Sequence, residues 1–371
     1  MKNILIKKKK RKSMLKDLEL LKELSEVNGI PAHEKNVREI LKREFLKVVP
    51  EDKILYDGLG SIAAEKVGKK NGPKVLIVGH MDEVGMIITK ITDEGFLKFQ
   101  TVGGWWSQVM LAQQMNITTS SGKVYRGVMG SKPPHILTEE ELKTPAKIDD
   151  MYIDLGVDNK EEVEKLGIKI GDMITPAIDF QVLANENYLL GKAWDDRIGC
   201  AVAIEVLKQL QDVEHPNIVY AAGSTQEEVG LRGAKTLANL IKPDVAFALD
   251  TSIARDLPGT DGSIKIGKGP GIVLYDSSAV GHVALREKVI EIADELNIPY
   301  QFDYLKRGGT DSGAIHTANS GCPSLSICIE TRYLHSHTSI IHKEDYLNTV
   351  KLVVEVIKRL DADTVNKIIY E

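Results

Sequence analysis

Thiols are few: the chain has three cysteines, Cys200, Cys322 and Cys328. An odd number without a CxxC pair excludes a disulfide framework and a thiolate zinc site, and predicts a reduced, cytoplasmic setting. Long hydrophobic runs are missing as well. Charge or glycine interrupts every apolar stretch before it reaches the roughly 20 residues that span a bilayer, so no transmembrane segment is predicted. There is no dominant charge: 48 Lys and Arg against 53 Asp and Glu leave a formal net charge of −5. No overall positive field exists to hold phosphates, which excludes nucleic acid as the main partner. Internal repeats are absent.

What is present is ordinary globular composition, 43% hydrophobic and 27% charged, which argues against disorder or a coiled coil. At 371 residues the chain exceeds one usual core, so about two domains are expected. The N-terminus carries a basic run, Lys7 to Lys12, placed after the short apolar Ile4-Leu5-Ile6. A signal peptide has the opposite order. Residues 1–13 are therefore read as a solvated, disordered tail, with Met14 as an alternative start.

Helical periodicity marks residues 15–27 and 34–48, the second with Val37, Ile40, Leu41 and Phe45 on one face. Short β-rich runs follow at 53–57, 61–66 and 74–79. From about 84 to 177 the pattern is short strands and turn signals with little helical period, which reads as an inserted all-β module. Beyond Trp194 strand and helix alternate: helix 197–210, strand 218–222, helix 231–241, strand 245–249, helix 283–296, strand 323–329 and helix 343–360. That alternation predicts an α/β sheet covered by helices on both faces.

Chemistry-bearing residues recur where these strands end. His80 and Asp82 (GHMDE) follow the strand at 74–79, where an imidazole can bind a metal and a carboxylate can orient it. Asp195 and Asp196 precede the next helix; capping accounts for one aspartate and leaves the other. Glu227 and Glu228 follow the strand at 218–222, Asp250 closes the strand at 245–249, and His335 lies beyond the strand at 323–329. Caps alone would not select metal-binding residue types at every strand end. Imidazole and carboxylate without thiolate fit two divalent cations, Zn²⁺ or Co²⁺, sharing a bridging carboxylate. Such a pair activates water and polarises a carbonyl while a nearby glutamate moves protons, which is peptide or amide hydrolysis. The residues alone leave open Asp195 against Asp196 and Glu227 against Glu228.

The ordered series GHMDEVG, AWDDR, QEEVG, Asp250, GGTDSGAIH (308–316) and RYLHS closely resembles the tetrahedral aminopeptidases, the glutamyl and deblocking family of dinuclear metallo-exopeptidases. The resemblance runs from about Leu15 to Leu360. It implies an α/β fold: an α/β/α sandwich catalytic domain of residues 14–82 and 179–371, with a PDZ-like all-β dimerisation domain inserted at 83–178. It implies that His80, Asp195 and Asp250 hold one metal and Glu228 and His335 the other, with Asp195 bridging. Glu227 would be the general base, and Asp82 would sit behind His80. Short peptides would be the substrates, and dimers would assemble into a hollow dodecamer.

The resemblance also suggests that His135, in the loop Gly130 to His135, contacts substrate at a neighbouring site, and that GGTDSGAIH lines the pocket. His337 and His342 are not needed as ligands. Arg307, Arg332 and Lys306 are candidates to receive an acidic N-terminal side chain. Family members differ among acidic, neutral and basic residues; neutral, leucine-like ones are the first expectation here and acidic ones the second. The rival readings are a related carboxypeptidase or deacylase, an endoglucanase, as some such proteins are labelled, and a non-catalytic peptide-binding shell. Adjacent glutamates pointing apart from a strand end are poorly placed for a facing glycosidase pair, which would also leave His80 and His335 idle. A shell would have no use for Glu227.

Overall fold

Alternating side chains of the strand Lys74–His80 divide the α/β part of the chain into layers. Val75 and Ile77 pack with Ile198, Ala201 and Val202 of the helix Trp194–Gln209, whereas Leu76 and Val78 pack with Ala234, Leu237 and Ile241 of the helix Arg232–Ile241. Successive residues of a strand face opposite sides, so a strand apolar throughout is one covered by helices on both. The computed structural model describes residues 18–370, and the basic tail assigned to residues 1–13 lies outside them.

The central sheet has eight strands in the order Ile54–Tyr56, Ile62–Val67, Ile218–Ser224, Lys74–His80, Val245–Ile253, Ser324–Thr331, Gly271–Tyr275, Gln301–Tyr304. The four strands from Ile218–Ser224 to Ser324–Thr331 run parallel, so their carboxyl ends meet along one edge. This is the α/β fold expected, with ends of the predicted strands shifted by a few residues. The two strands Gly271–Tyr275 and Gln301–Tyr304, and a final helix Ala362–Tyr370, had no counterpart in the sequence reading. The strand Gln301–Tyr304 is short, outermost and of mixed exposure, which leaves no apolar run to read, whereas Gly271–Tyr275, paired on both sides, does carry the apolar run Gly-Ile-Val-Leu-Tyr.

Between Gly85 and Pro176 six strands close into a barrel whose pairings are all antiparallel. Met86, Ile88, Leu97, Ile117, Ile153 and Ile174 form its own core. Closure leaves no free sheet edge. A small sheet of Gln181–Val182, Tyr188–Gly191 and Ser339–His342 pairs Gly191 with Ser339. That pairing sets Asp195, four residues after Gly191, near His335, four residues before Ser339.

The helix Trp194–Gln209 crosses the sheet very closely. A Cβ at Gly79 would lie 2.4 Å from the Gly199 carbonyl carbon, and one at Gly199 would lie 2.2 Å from the Leu249 carbonyl oxygen. Only glycine permits this approach, which carries the helix start over the strand ends.

Asp345, near the start of the helix Lys343–Ile357, is fully buried and accepts hydrogen bonds from Gly267 N (2.6 Å) and Gly269 N (2.7 Å). Burial raises its pKa from 3.8 to about 6. A raised pKa means that the folded state holds the proton more tightly. The stabilising contribution is therefore full below 3.8 and lost as pH rises through about 6. Relative to Asp345→Asn, the wild type should gain about 2 kcal/mol between about pH 7 and about pH 4.5. Denaturant midpoints of both proteins across that range measure this, and parallel profiles would contradict it.

Candidate metal centre

His80 ends its strand fully enclosed, and its ring is held from two sides. Nδ1–H donates to the Asp82 main-chain carbonyl at 2.9 Å, which leaves Nε2 facing Asp195 Oδ1 at 3.0 Å. The Asp82 carboxylate serves another purpose. Its two oxygens accept the backbone N–H groups of Glu227 and Glu228, each at 3.0 Å. Asp82 lies behind His80, its Oδ1 3.7 Å from Nδ1; the hydrogen bond to the ring comes from its carbonyl, while its side chain also fixes the turn that presents the two glutamates.

The adjacent aspartates divide their work. Asp196 accepts from Gly199 N at 2.9 Å and from His80 N at 2.8 Å, so it caps the helix and ties it to the strand that ends in His80. Asp195 is left free to enter the cavity. The peptide between them is cis, and Asp195 itself is non-helical. Its Oδ1 faces His80 and its Oδ2 faces His335 Nε2 at 3.1 Å. His335 adopts a left-handed backbone conformation, and its Nδ1–H donates to Gly104 O at 3.0 Å, a residue between two barrel strands.

Donor atoms gather in two sets, each within 4.8 Å: His80, Glu227 and Asp250, and His80, Asp195 and Glu228. His335 Nε2 lies 3.5 Å from Glu228 Oε1. Asp195, Glu227, Glu228, Asp250, His80 and His335 all line one cavity of about 580 Å³.

The electrostatics of this cluster fit cations. Asp82, Asp195, Asp196, Glu227, Glu228, Asp250 and Asp311 converge on two imidazoles, and no Lys or Arg pairs with any of them among the described residues. Burial pushes Glu227 and Asp250 well above the usual carboxylate range and Glu228 up to about 7. Burial opposes charge on His335 too, yet Glu228 and Asp195 raise it to about 10. Glu228 Oε1 is buried without any hydrogen-bond partner. Uncompensated buried carboxylates of this kind are expensive unless a metal ion neutralises them. The donor set, oxygen and imidazole without sulfur, suits a divalent cation.

Other residues singled out in the sequence lie elsewhere. His135 sits on an exposed loop outside the cavity lining. His337 and His342 do not line it either. Gly308, Gly309 and Thr310 do line it, whereas Asp311 lies buried behind, accepting from Ser224 Oγ. His316 lies in a separate surface hollow with Cys322. Glu34, which gave no functional signal at a helix start, is buried and accepts from Gln226 N (3.1 Å) and Thr225 Oγ1. It supports the turn before the glutamates, a long-range role that local pattern does not encode.

Residues 60–352 match the family model described as M42 glutamyl aminopeptidase. The crystal structure of a TET aminopeptidase from the marine sediment archaeon Thaumarchaeota archaeon SCGC AB-539-E09 is 44% identical, covers 95% of this chain and 99% of its own, and superposes with a TM-score of 0.92. A glutamyl aminopeptidase of Lactococcus lactis subsp. cremoris is 34% identical over 351 residues, 94% of this chain and 98% of that protein. The Pyrococcus horikoshii TET1 peptidase, described as assembling into a tetrahedron or a large octahedral shell, is 35% identical with a TM-score of 0.81, over 93% of this chain and all of that one.

Proposed function

We propose, for a chain that belongs to the M42 glutamyl aminopeptidase family and is a metal-dependent aminopeptidase, that the activity runs on two divalent ions, Zn²⁺ or Co²⁺. His80, Asp195 and Asp250 would hold one ion, and Glu228 and His335 the other. The observation that carries this reading is Asp195, whose two oxygens face the two histidines at 3.0 and 3.1 Å, as a bridging carboxylate must. Bound there, the ions supply an acidified water and polarise the carbonyl of the first peptide bond.

The chain's own residues do the rest. Glu227, 3.9 Å from His80 Nε2 through its Oε2, takes a proton from the attacking water and delivers it to the leaving amine nitrogen. Asp82 acts as a positioning residue that holds Glu227 and Glu228 by their backbone N–H groups.

Residues 14–82 and 179–371 act in this reading as the catalytic domain and 83–178 as a PDZ-like dimerisation domain, with dimers building a dodecamer. Support comes from the barrel's separate core and from the TET1 relative, which can assemble into a tetrahedron or a large octahedral shell. A cytoplasmic location agrees with three buried, unpaired cysteines. No helix among the described residues is long and apolar enough to cross a membrane.

Metal removal tests the proposal. Dialysis against a chelator should abolish hydrolysis of aminoacyl-p-nitroanilides, and added Co²⁺ or Zn²⁺ should restore it. Activity that survives chelation with no bound metal left would overturn it.

A further inference from the structure

Resting on the two-ion reading above, we propose that the six-stranded barrel sets the affinity of the ion at Glu228 and His335, acting through its loop 103–106, and leaves the ion at His80 and Asp250 to the α/β part alone. The two imidazoles are anchored in different ways. His80 is 2% exposed, and its Nδ1–H reaches the carbonyl of Asp82, two residues on, so its orientation is fixed within its own segment. His335 is 38% exposed and stands on a turn with a left-handed backbone, φ 51°. Apart from the carboxylates of Asp195 and Glu228, its ring has one polar partner among the described residues, the Gly104 carbonyl at 3.0 Å. That carbonyl fixes which nitrogen carries the proton and leaves Nε2 free for a cation.

Gly104 belongs to the barrel's framework. The strands Gly85–Ile91 and Leu97–Val102 pair antiparallel with Gly85 opposite Val102, so both arms of this hairpin open beside the metal cluster. The first arm arrives five residues after His80, and the second leaves into Gly103 and Gly104. A Cβ on Gly103 would lie 2.7 Å from Val84 Cγ1 and 3.2 Å from Glu228 Oε2, and one on Gly104 would lie 3.0 Å from His335 Nδ1. The loop therefore lies against both groups assigned to the second ion.

Its other end is fixed to the barrel. Trp105 packs against the barrel core, and Val109 N donates to Trp106 O at 3.1 Å. The loop thus moves with the barrel and not with the sheet. A tilt of one against the other shifts the acceptor of His335 and the wall beside Glu228 together, while His80 keeps the carbonyl of its own segment. An outer partner of a metal-bound histidine is worth about 10- to 100-fold in metal affinity.

Metal binding by the full chain after chelation tests this, read as ions bound per subunit in equilibrium dialysis against Co²⁺ and as the visible absorption of the bound Co²⁺. The wild type should bind two ions. Gly104→Ala, whose methyl crowds His335 Nδ1, should hold one ion as before and the other about 10- to 100-fold more weakly, with an altered spectrum. Gly103→Ala, which crowds Val84 and Glu228, should do the same. Gly122→Ala is the control: φ is 84° there and a Cβ meets nothing within 4 Å, so it strains the barrel backbone away from the cluster and should leave both affinities and the spectrum unchanged. In Glu228→Gln, which should keep the ion at His80, adding Gly104→Ala should cost that ion nothing. Equal weakening of both ions in the loop variants, unchanged binding in them, or a loss as large in Gly122→Ala would overturn the inference and leave the two-ion reading intact. A wild type that binds one ion would overturn both.

Discussion

Glu227→Gln should lower kcat by about 10²–10⁴-fold, the usual share of a positioned proton-transfer group, without lowering the metal content. Gln has the same shape but cannot accept a proton, so a residue that only filled space would tolerate it. Glu228→Gln should behave differently. Its Oε1 is buried without a hydrogen-bond partner and 3.5 Å from His335 Nε2, and it is proposed to hold metal, so weakening it should reduce bound metal as well as rate. Steady-state kinetics at saturating substrate together with elemental analysis separate the two. Loss of metal in Glu227→Gln, or full activity in it, would mean that the two glutamates have been given the wrong roles.

Arg197→Met should destabilise the fold by about 3–5 kcal/mol, the range for breaking a buried charged network. Arg197 is fully buried, and its guanidinium reaches five acceptors: the carbonyls of Leu24, Val27, Gly29 and Met81, and Glu83 Oε1 at 3.3 Å. Lys192 also donates to Glu83 Oε1, at 2.5 Å, and burial pulls its own pKa down to about 8. Removing Arg197 leaves four carbonyls short of a donor and shifts the balance of two remaining buried charges. Arg197→Lys should recover only part of the loss, because an ammonium cannot reproduce the fork. The urea midpoint measures this, and an unchanged midpoint in Arg197→Met would contradict it. Since Met81 follows His80 directly, the same change should also lower metal affinity.

Central strands were legible in the sequence because burial on both faces makes them apolar throughout, as in Val75 to Val78 and Val245 to Leu249. The helix starting near Trp194 was legible from its acidic start, and the division between a capping and a free aspartate followed once Asp196 was seen to accept from Gly199 N and His80 N. The edge strand Gln301–Tyr304 was not legible, because four residues of mixed exposure leave no period to detect; Gly271–Tyr275, paired on both sides, carries an apolar run that does signal a strand.

Long-range partners were equally hidden. Nothing local marks Glu34 as the support of Gln226, or Gly104 in the barrel region as the acceptor for His335. Asp82 illustrates a subtler limit: spacing placed it beside His80, but not which of its groups would do the holding. Its carbonyl takes the imidazole N–H and its carboxylate takes two backbone N–H groups.

Anomalous diffraction from crystals grown with Zn²⁺ would show whether Asp195 bridges a pair of metal ions. Two peaks per subunit are expected, roughly 3.5–4 Å apart. One should lie between His80 and Asp250, the other between Glu228 and His335, with Asp195 touching both. A single peak, or peaks that Asp195 does not bridge, would contradict the bridged pair.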